Sequence, residues 1–335
     1  MIRRITLMLV IALMATAASA QTKLNGAGAT FPYPMYSKWF SEYNKLHPNV
    51  QINYQSIGSG GGIRQVTAGT VDFGATDGPM TDQQLTDSKT KIYHIPTVLG
   101  AVVPAYNLKD YKGAELKFSG PLLANIFLGR ISNWSDAAIA KENPGVTLPN
   151  VPIVVVHRSD GSGTTFVWTD YLAKISAEWQ NNVGKGNSVR WPLGLGAKGN
   201  EGVAGMVKQM DGAIGYIELI YAEQNKITFG SVKNAAGEYV RASLETTSKA
   251  AATAKVPNDF RVSITNAPGK GVYPVASFTW LLVPEKNADA TKQKVIKEFL
   301  NWMVTDGQKL TQQLTYAPLP AEVATRVKAA IGQLK

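Results

Sequence analysis

Three short segments of this 335-residue chain combine glycine with hydroxyl side chains: Gly26-Ala27-Gly28-Ala29-Thr30-Phe31, Gly58-Ser59-Gly60-Gly61-Gly62 and Asp160-Gly161-Ser162-Gly163-Thr164-Thr165. Each stands before a stretch with helical spacing. Backbone N–H groups and hydroxyls at the positive end of a helix dipole make an anion site. Three such segments, the third led by Arg158, describe a small oxyanion held from several sides. Arg158 offers five donors in a planar fork. Asp160, two residues on, can pair with it, fix its direction and partly offset its charge. Ser162, Gly163 and Thr164 then open the helix. Plainer readings stand beside these: an N-capped turn with a surface ion pair for the third segment, and a flexible turn for the second.

In the first segment, Thr30 can cap a helix or turn its hydroxyl outward, and Phe31 can give its N–H while its ring shields the site. In the second, Ser59 lies among glycines that allow close approach of backbone to a ligand. Asp77 discriminates between ligands. It follows Asp72-Phe73-Gly74-Ala75-Thr76 at the C-terminal end of a strand, where α/β proteins bind their ligands. An ionised carboxylate accepts hydrogen bonds and donates none. Beside an oxyanion it is useful only when the anion carries a proton, as phosphate does at neutral pH and sulfate does not. Specificity then comes from the unsatisfied partner of the wrong ligand. The plainer role for Asp77 is a helix N-cap before Gly78-Pro79.

These residues need strand ends and helix starts to carry them. Val50-Gln51-Ile52-Asn53-Tyr54 alternates as a strand, a turn covers Ser56 to Gly62, Ile63 and Val66 mark a helix face, and Val71 to Ala75 is the next strand. This βαβ pattern gives an α/β class with parallel pairing. Tyr36, Trp39, Phe40 and Tyr43 recur at helical spacing after Pro32 and Pro34, a core-facing stripe. Ile153 to Val156 is a strand, followed by a helix with Phe166, Val167 and Tyr171. Ile95 to Tyr106 and Ser277 to Pro284 are apolar runs suited to cross between two lobes. The chain would leave lobe one near residue 105, build lobe two and return near 275. Val295, Phe299 and Trp302 then pack a helix back on lobe one. Gly194 to Gly202 lacks the Gly-Lys-Ser/Thr ending of a nucleotide loop and reads as a turn into a helix.

Arg3 and Arg4, the apolar run from Ile5 to Ala17 and the small residues Ala18-Ser19-Ala20 form a secretory signal peptide, with cleavage expected after Ala20 and a periplasmic destination. The chain has no cysteine, which removes disulfides, thiol catalysis and zinc-thiolate sites. His47, His94 and His157 lack metal-ligand spacing. The formal net charge is +10, but the basic residues are scattered and do not interleave with aromatics as a nucleic-acid surface requires. The excess positive charge suits solubility and attraction of anions toward a cleft.

The motifs Gly-Ala-Gly-Ala-Thr-Phe-Pro at 26–32, Ile-Gly-Ser at 57–59, Val-Asp-Phe-Gly-Ala at 71–75 and Asp-Gly-Ser-Gly-Thr at 160–164 resemble the periplasmic phosphate-binding proteins of bacterial ABC transporters, the PstS family. The similarity continues through Trp191-Pro192-Leu193-Gly194-Leu195-Gly196, Gly212-Ala213-Ile214-Gly215-Tyr216 and Tyr316-Ala317-Pro318-Leu319-Pro320. It implies a two-lobed α/β binding protein, each lobe a mostly parallel sheet flanked by helices and joined by two crossing segments. Lobe one would comprise residues 21–105 with 277–335, and lobe two residues 106–276. The implied ligand is inorganic phosphate, held by Thr30, Phe31, Ser59, Asp77, Arg158, Ser162, Gly163 and Thr164, with Asp160 supporting Arg158. The implied partners are the membrane permease subunits of an ABC phosphate transporter, and the implied state is a monomer without cofactor or catalysis. Two departures stand out: His157 precedes Arg158 where a basic or polar residue is usual, and Gly60 follows Ser59 where a second serine is frequent.

Two rival functions use the same residues. A receptor for sulfate or molybdate would share the fold, and Asp77 argues against it. An exported phosphatase would need a nucleophile or a metal. Ser162, His157 and Asp160 crowd one loop and lack the separate supports of a hydrolase triad.

Overall fold

The computed structural model describes residues 21–335; the expected signal peptide and its cleavage site lie outside the described residues. The strands in chain order are β1 (Thr22–Gly28), β2 (Val50–Ser56), β3 (Phe73–Thr76), β4 (Ile92–Tyr106), β5 (Lys117–Phe118), β6 (Val154–Arg158), β7 (Leu195–Ala197), β8 (Ala213–Glu218), β9 (Thr228–Phe229), β10 (Ser231–Lys233), β11 (Tyr239–Val240) and β12 (Ala276–Pro284). One hydrogen-bonded path runs β2-β1-β3-β12-β4-β8-β6-β7, with β9 on β4; β11-β10-β5 form a small separate sheet.

The path has two halves that share β4. Ile92 to Ala101 of that strand pair antiparallel with β12, and Val102 to Tyr106 pair antiparallel with β8. The parallel pairs lie outside this shared strand: β2 and β3 flank β1 in the first half, and β8 and β7 flank β6 in the second. The antiparallel pairs of this path all involve β4 or β12; β4 pairs in both halves, whereas β12 pairs only within the first. Nearly every residue of β4 is buried, as its unbroken apolar run requires. Pro96 is accommodated because the register with β12 shifts there, leaving Thr97 as the extra residue of a bulge.

The aromatic stripe is core. Met35, Tyr36, Trp39, Phe40 and Tyr43 are the buried residues of the helix Tyr33–Leu46. Phe40 and Tyr43 meet Phe299 at ring separations of 5.5 and 5.2 Å, so the helix Ala290–Met303 does return to the first half. The glycine segments are shorter as loops than their composition suggests. Gly26 to Gly28 belong to β1, and Gly60 to Gly62 lie in the first turn of the helix Ser59–Ala68. Packing explains the second case. A Cβ on Gly62 would come 2.6 Å from Cα of Gly28, so glycine lets this helix press onto the strand beneath it. Gly194 to Gly202 does lead into a helix, Gly199–Gln209, although Leu195–Ala197 pairs with β6 as a strand where a turn is expected.

Candidate anion-binding site

The first half contributes three segments. After β1 ends at Gly28, the chain turns and buries Thr30 and Phe31. Thr30 does not cap the helix that follows, which has no side-chain cap. Its carbonyl accepts from the Tyr221 hydroxyl at 2.6 Å, and the Phe31 carbonyl accepts from the Tyr316 hydroxyl at 2.6 Å. The Phe31 ring lies over Gly100, where a Cβ would come 2.5 Å from it. Ser59 is the first residue of its helix and wholly buried. Its Oγ accepts from the Asp77 backbone N–H at 3.2 Å.

Asp77 follows β3 and is 1% exposed. Oδ1 accepts from the Thr279 hydroxyl of β12 at 2.8 Å, and Oδ2 lies 3.4 Å from the Ser59 hydroxyl. Burial pushes the Asp77 carboxyl up to about 7, against the hydrogen bond from Thr279, the charge of Arg158 and the hydrogen bond from Ser59.

The second half contributes the end of β6 and the helix beyond. Arg158 is 3% exposed. Its Nε and one terminal nitrogen donate to the two carboxylate oxygens of Asp160 at 2.8 and 2.5 Å, a bidentate pair. Its other terminal nitrogen lies 3.3 Å from Oγ1 of Thr164. Burial alone would raise the Asp160 carboxyl, but the hydrogen bonds and charge of Arg158 and the Gly199 N–H hold it below its ordinary value. Ser162 is the N-cap of the helix Gly163–Ile175, accepting from the Thr165 N–H at 3.0 Å. Gly163 and Thr164 are buried in its first turn.

The two halves meet at these residues. A Cβ on Gly163 would come 2.5 Å from Oδ2 of Asp77 and would also strike Ser59 Oγ. The Gly60 N–H donates to the Gly161 carbonyl at 2.8 Å. Gly58 has φ of +85°, and a Cβ there would collide with Asp160. Asn200, in the first turn of the helix Gly199–Gln209, reaches across to Thr30 Oγ1. The Ser59 and Thr279 hydroxyls, the charge of Arg158 and the starts of the helices at Ser59 and Gly163 thus converge on one buried carboxyl. That is a donor-rich cradle with one acceptor, chemistry suited to an oxyanion that retains a proton.

Asn200 and Thr279 were not signalled by the sequence motifs. His157 stacks on Trp191 at 4.8 Å between ring centroids. Among the described residues, no group of three or more His, Asp and Glu is arranged to hold a metal.

A family model described as a PBP superfamily domain matches residues 15–307. A phosphate-binding protein PstS of Xylella fastidiosa is 48% identical over 309 residues, covering 92% of this chain and 84% of that protein. The corresponding protein of Pasteurella multocida is 44% identical over 98% of this chain and 94% of its own length. The crystal structure of a phosphate-binding protein from Stenotrophomonas maltophilia matches the fold with a TM-score of 0.71 at 18% identity, covering 92% of this chain and 93% of that one. Sequence and architecture agree, and the chain belongs to the PstS family of phosphate-binding proteins.

Proposed function

We propose that this chain is a receptor that captures inorganic phosphate in the periplasm and delivers it to the permease subunits of an ABC transporter. The observation that carries this reading is the buried Asp77 carboxyl among donors: Ser59 and Thr279 on one side, the Arg158 fork and the Gly163 helix start on the other. In the reading, the Phe31, Gly163 and Thr164 N–H groups and the Thr30, Ser59, Ser162 and Thr164 hydroxyls donate to the oxyanion. Arg158 supplies the charge, Asp160 holds Arg158 in place, and Asp77 accepts a hydrogen bond from the hydroxyl that phosphate retains. A sulfate or molybdate receptor is disfavoured, because a fully deprotonated anion would face the carboxylate without a proton between them.

The reading requires binding and release, with no bond made or broken, and the relatives are named as binding proteins. Lobe one would comprise residues 21–105 with 277–335 and lobe two residues 106–276, closing on the ligand as a monomer after removal of the segment ending at Ala20. Closure is favoured only through contacts that the open form lacks. The cross-lobe approaches of Gly163 to Asp77 and Gly60 to Gly161 support such contacts. Calorimetric titration of ligand-stripped protein with phosphate and with sulfate tests the reading. Tight binding of phosphate with weak binding of sulfate is expected; equal affinities would refute it.

A further inference from the structure

Asn200 is wholly buried, sits on the second half, and touches hydroxyls from both halves. Its amide orientation is fixed by chemistry. The Glu218 backbone N–H points at one end of the amide, 2.9 Å away, and an N–H can only donate, so that end is the carbonyl Oδ1. The other end is therefore the NH2 group. It stands 2.8 Å from Thr30 Oγ1 and 3.0 Å from Thr164 Oγ1. An amide NH2 has two hydrogens and no lone pair to offer, so both hydroxyl oxygens must accept from it.

Each of those oxygens also receives a second donor. The Asn200 backbone N–H reaches Thr30 Oγ1 at 3.2 Å, and Arg158 reaches Thr164 Oγ1 at 3.3 Å. A hydroxyl oxygen has two lone pairs and one hydrogen. With both lone pairs engaged, the hydrogen is the only polar direction left. Among the described residues, neither hydroxyl donates to another group.

We propose that Asn200 is the positioning residue of the anion site. It turns the Thr30 and Thr164 hydroxyls into obligate donors aimed at the bound anion, and it ties Thr30 of the first half to the second half so that the closed form persists. The inference rests on the phosphate reading above and deepens it. Without Asn200, each hydroxyl is free to rotate and to present a lone pair to the anion, which repels it. The tie to Thr30 adds a second effect: it must break before the ligand leaves, so the dissociation rate carries most of the change.

The test compares the unmodified chain with Asn200→Ala, Asn200→Asp, the pair Thr30→Val with Thr164→Val, and the triple variant combining that pair with Asn200→Ala. Phosphate affinity is read by calorimetry and dissociation by stopped flow, with ligand-free melting recorded for each. Asn200→Ala is expected to weaken phosphate binding about ten- to a hundredfold, mainly through faster dissociation, as for the loss of oriented hydrogen bonds to a charged group. Asn200→Asp keeps the shape, but its carboxylate accepts and draws both hydroxyl hydrogens inward, so it should bind more weakly than Asn200→Ala. In the valine background, Asn200→Ala should change affinity by less than about threefold, since the hydroxyls it orients are gone. An Asn200→Ala affinity within about twofold of the unmodified value would overturn the proposal. So would an Asn200→Ala loss that is undiminished in the valine background, or Asn200→Asp binding better than Asn200→Ala. A folded, unmodified chain that fails to bind phosphate would overturn the functional reading and this inference with it.

Discussion

Gly163 and Asp77 stand so close across the boundary between the two halves that a single Cβ on Gly163 would lie 2.5 Å from Oδ2 of Asp77. Gly163 begins a helix with ordinary helical backbone, so alanine suits the local structure, and the nearest collisions are with Ser59 and Asp77 of the first half. Gly163→Ala is therefore expected to melt, ligand-free, within a few degrees of the unmodified chain, and to bind phosphate at least about tenfold more weakly. Compaction on adding phosphate, followed by small-angle scattering, should be present in the unmodified chain and reduced in the variant. Equal compaction and affinity in both would show that the halves do not close here.

Asp77 gives a pH dependence that separates ligands. Its carboxyl is pushed up to about 7, mainly by burial. Below that pH the carboxyl carries its own proton and can donate to an unprotonated oxyanion; above it, it only accepts. Sulfate affinity should therefore be weak near about pH 8 and rise toward about pH 5, while Asp77→Asn flattens the dependence. Competition titrations at both pH values check this, and a flat sulfate profile in the unmodified chain would refute it. Stability follows the same proton. The folded state holds it more tightly than the unfolded chain, so this contribution is complete below about pH 4 and is lost as pH rises through about 7. Asp77→Asn should raise the ligand-free melting temperature near pH 8 more than near pH 4.

Arg158 is buried with its fork against Asp160, so its removal takes the positive charge from the site. Arg158→Ala should cost about 1.5–3 kcal/mol of phosphate binding, roughly ten- to a hundredfold. Asp160→Ala should cost less, because it acts through the direction of Arg158. Calorimetry decides, and an Arg158→Ala dissociation constant within about twofold of the unmodified value would remove Arg158 from the site.

Away from the site, Asp170 is buried on the helix Gly163–Ile175 and ties it to the loop at Ser263 and Thr265. Burial would raise its carboxyl, but hydrogen bonds from Lys185, Ser263 and Thr265 and the charge of Lys174 bring it down to about 2. A depressed value stabilises the fold above the ordinary carboxyl range, and that contribution disappears as pH falls through about 2. Asp170→Asn should lower stability by about 2–3 kcal/mol at pH 7 and have little effect near pH 2. Denaturant melts at the two pH values test the difference; equal losses at both would contradict it.

What the sequence displayed and what it hid follow from chain distance. Arg158 and Asp160 are two residues apart at a strand end, and Ser162 caps its own helix, so local spacing carries both features. Asn200 and Thr30 are 170 residues apart, and Thr279 and Asp77 are 202 apart. No local pattern joins such pairs; they meet because β12 lies beside β3 and the helix Gly199–Gln209 abuts the first half. The glycines at 60–62 misled in the other direction. Their composition reads as a loop, yet they form helix, and at Gly62 only a residue without a side chain lets that helix touch β1 and β3.

The place of β12 also orders events during synthesis. This strand fills the gap between β3 and β4, although some 170 residues of chain separate it from β4. Until Pro284 has been made, β3 and β4 present two unpaired edges to each other, and Asp77 lacks the Thr279 hydroxyl. A product truncated before β12 would carry all three glycine motifs and still lack the Thr279 hydroxyl that hydrogen-bonds the Asp77 carboxyl. Completion of the ligand site is thus bound to near-completion of the polypeptide.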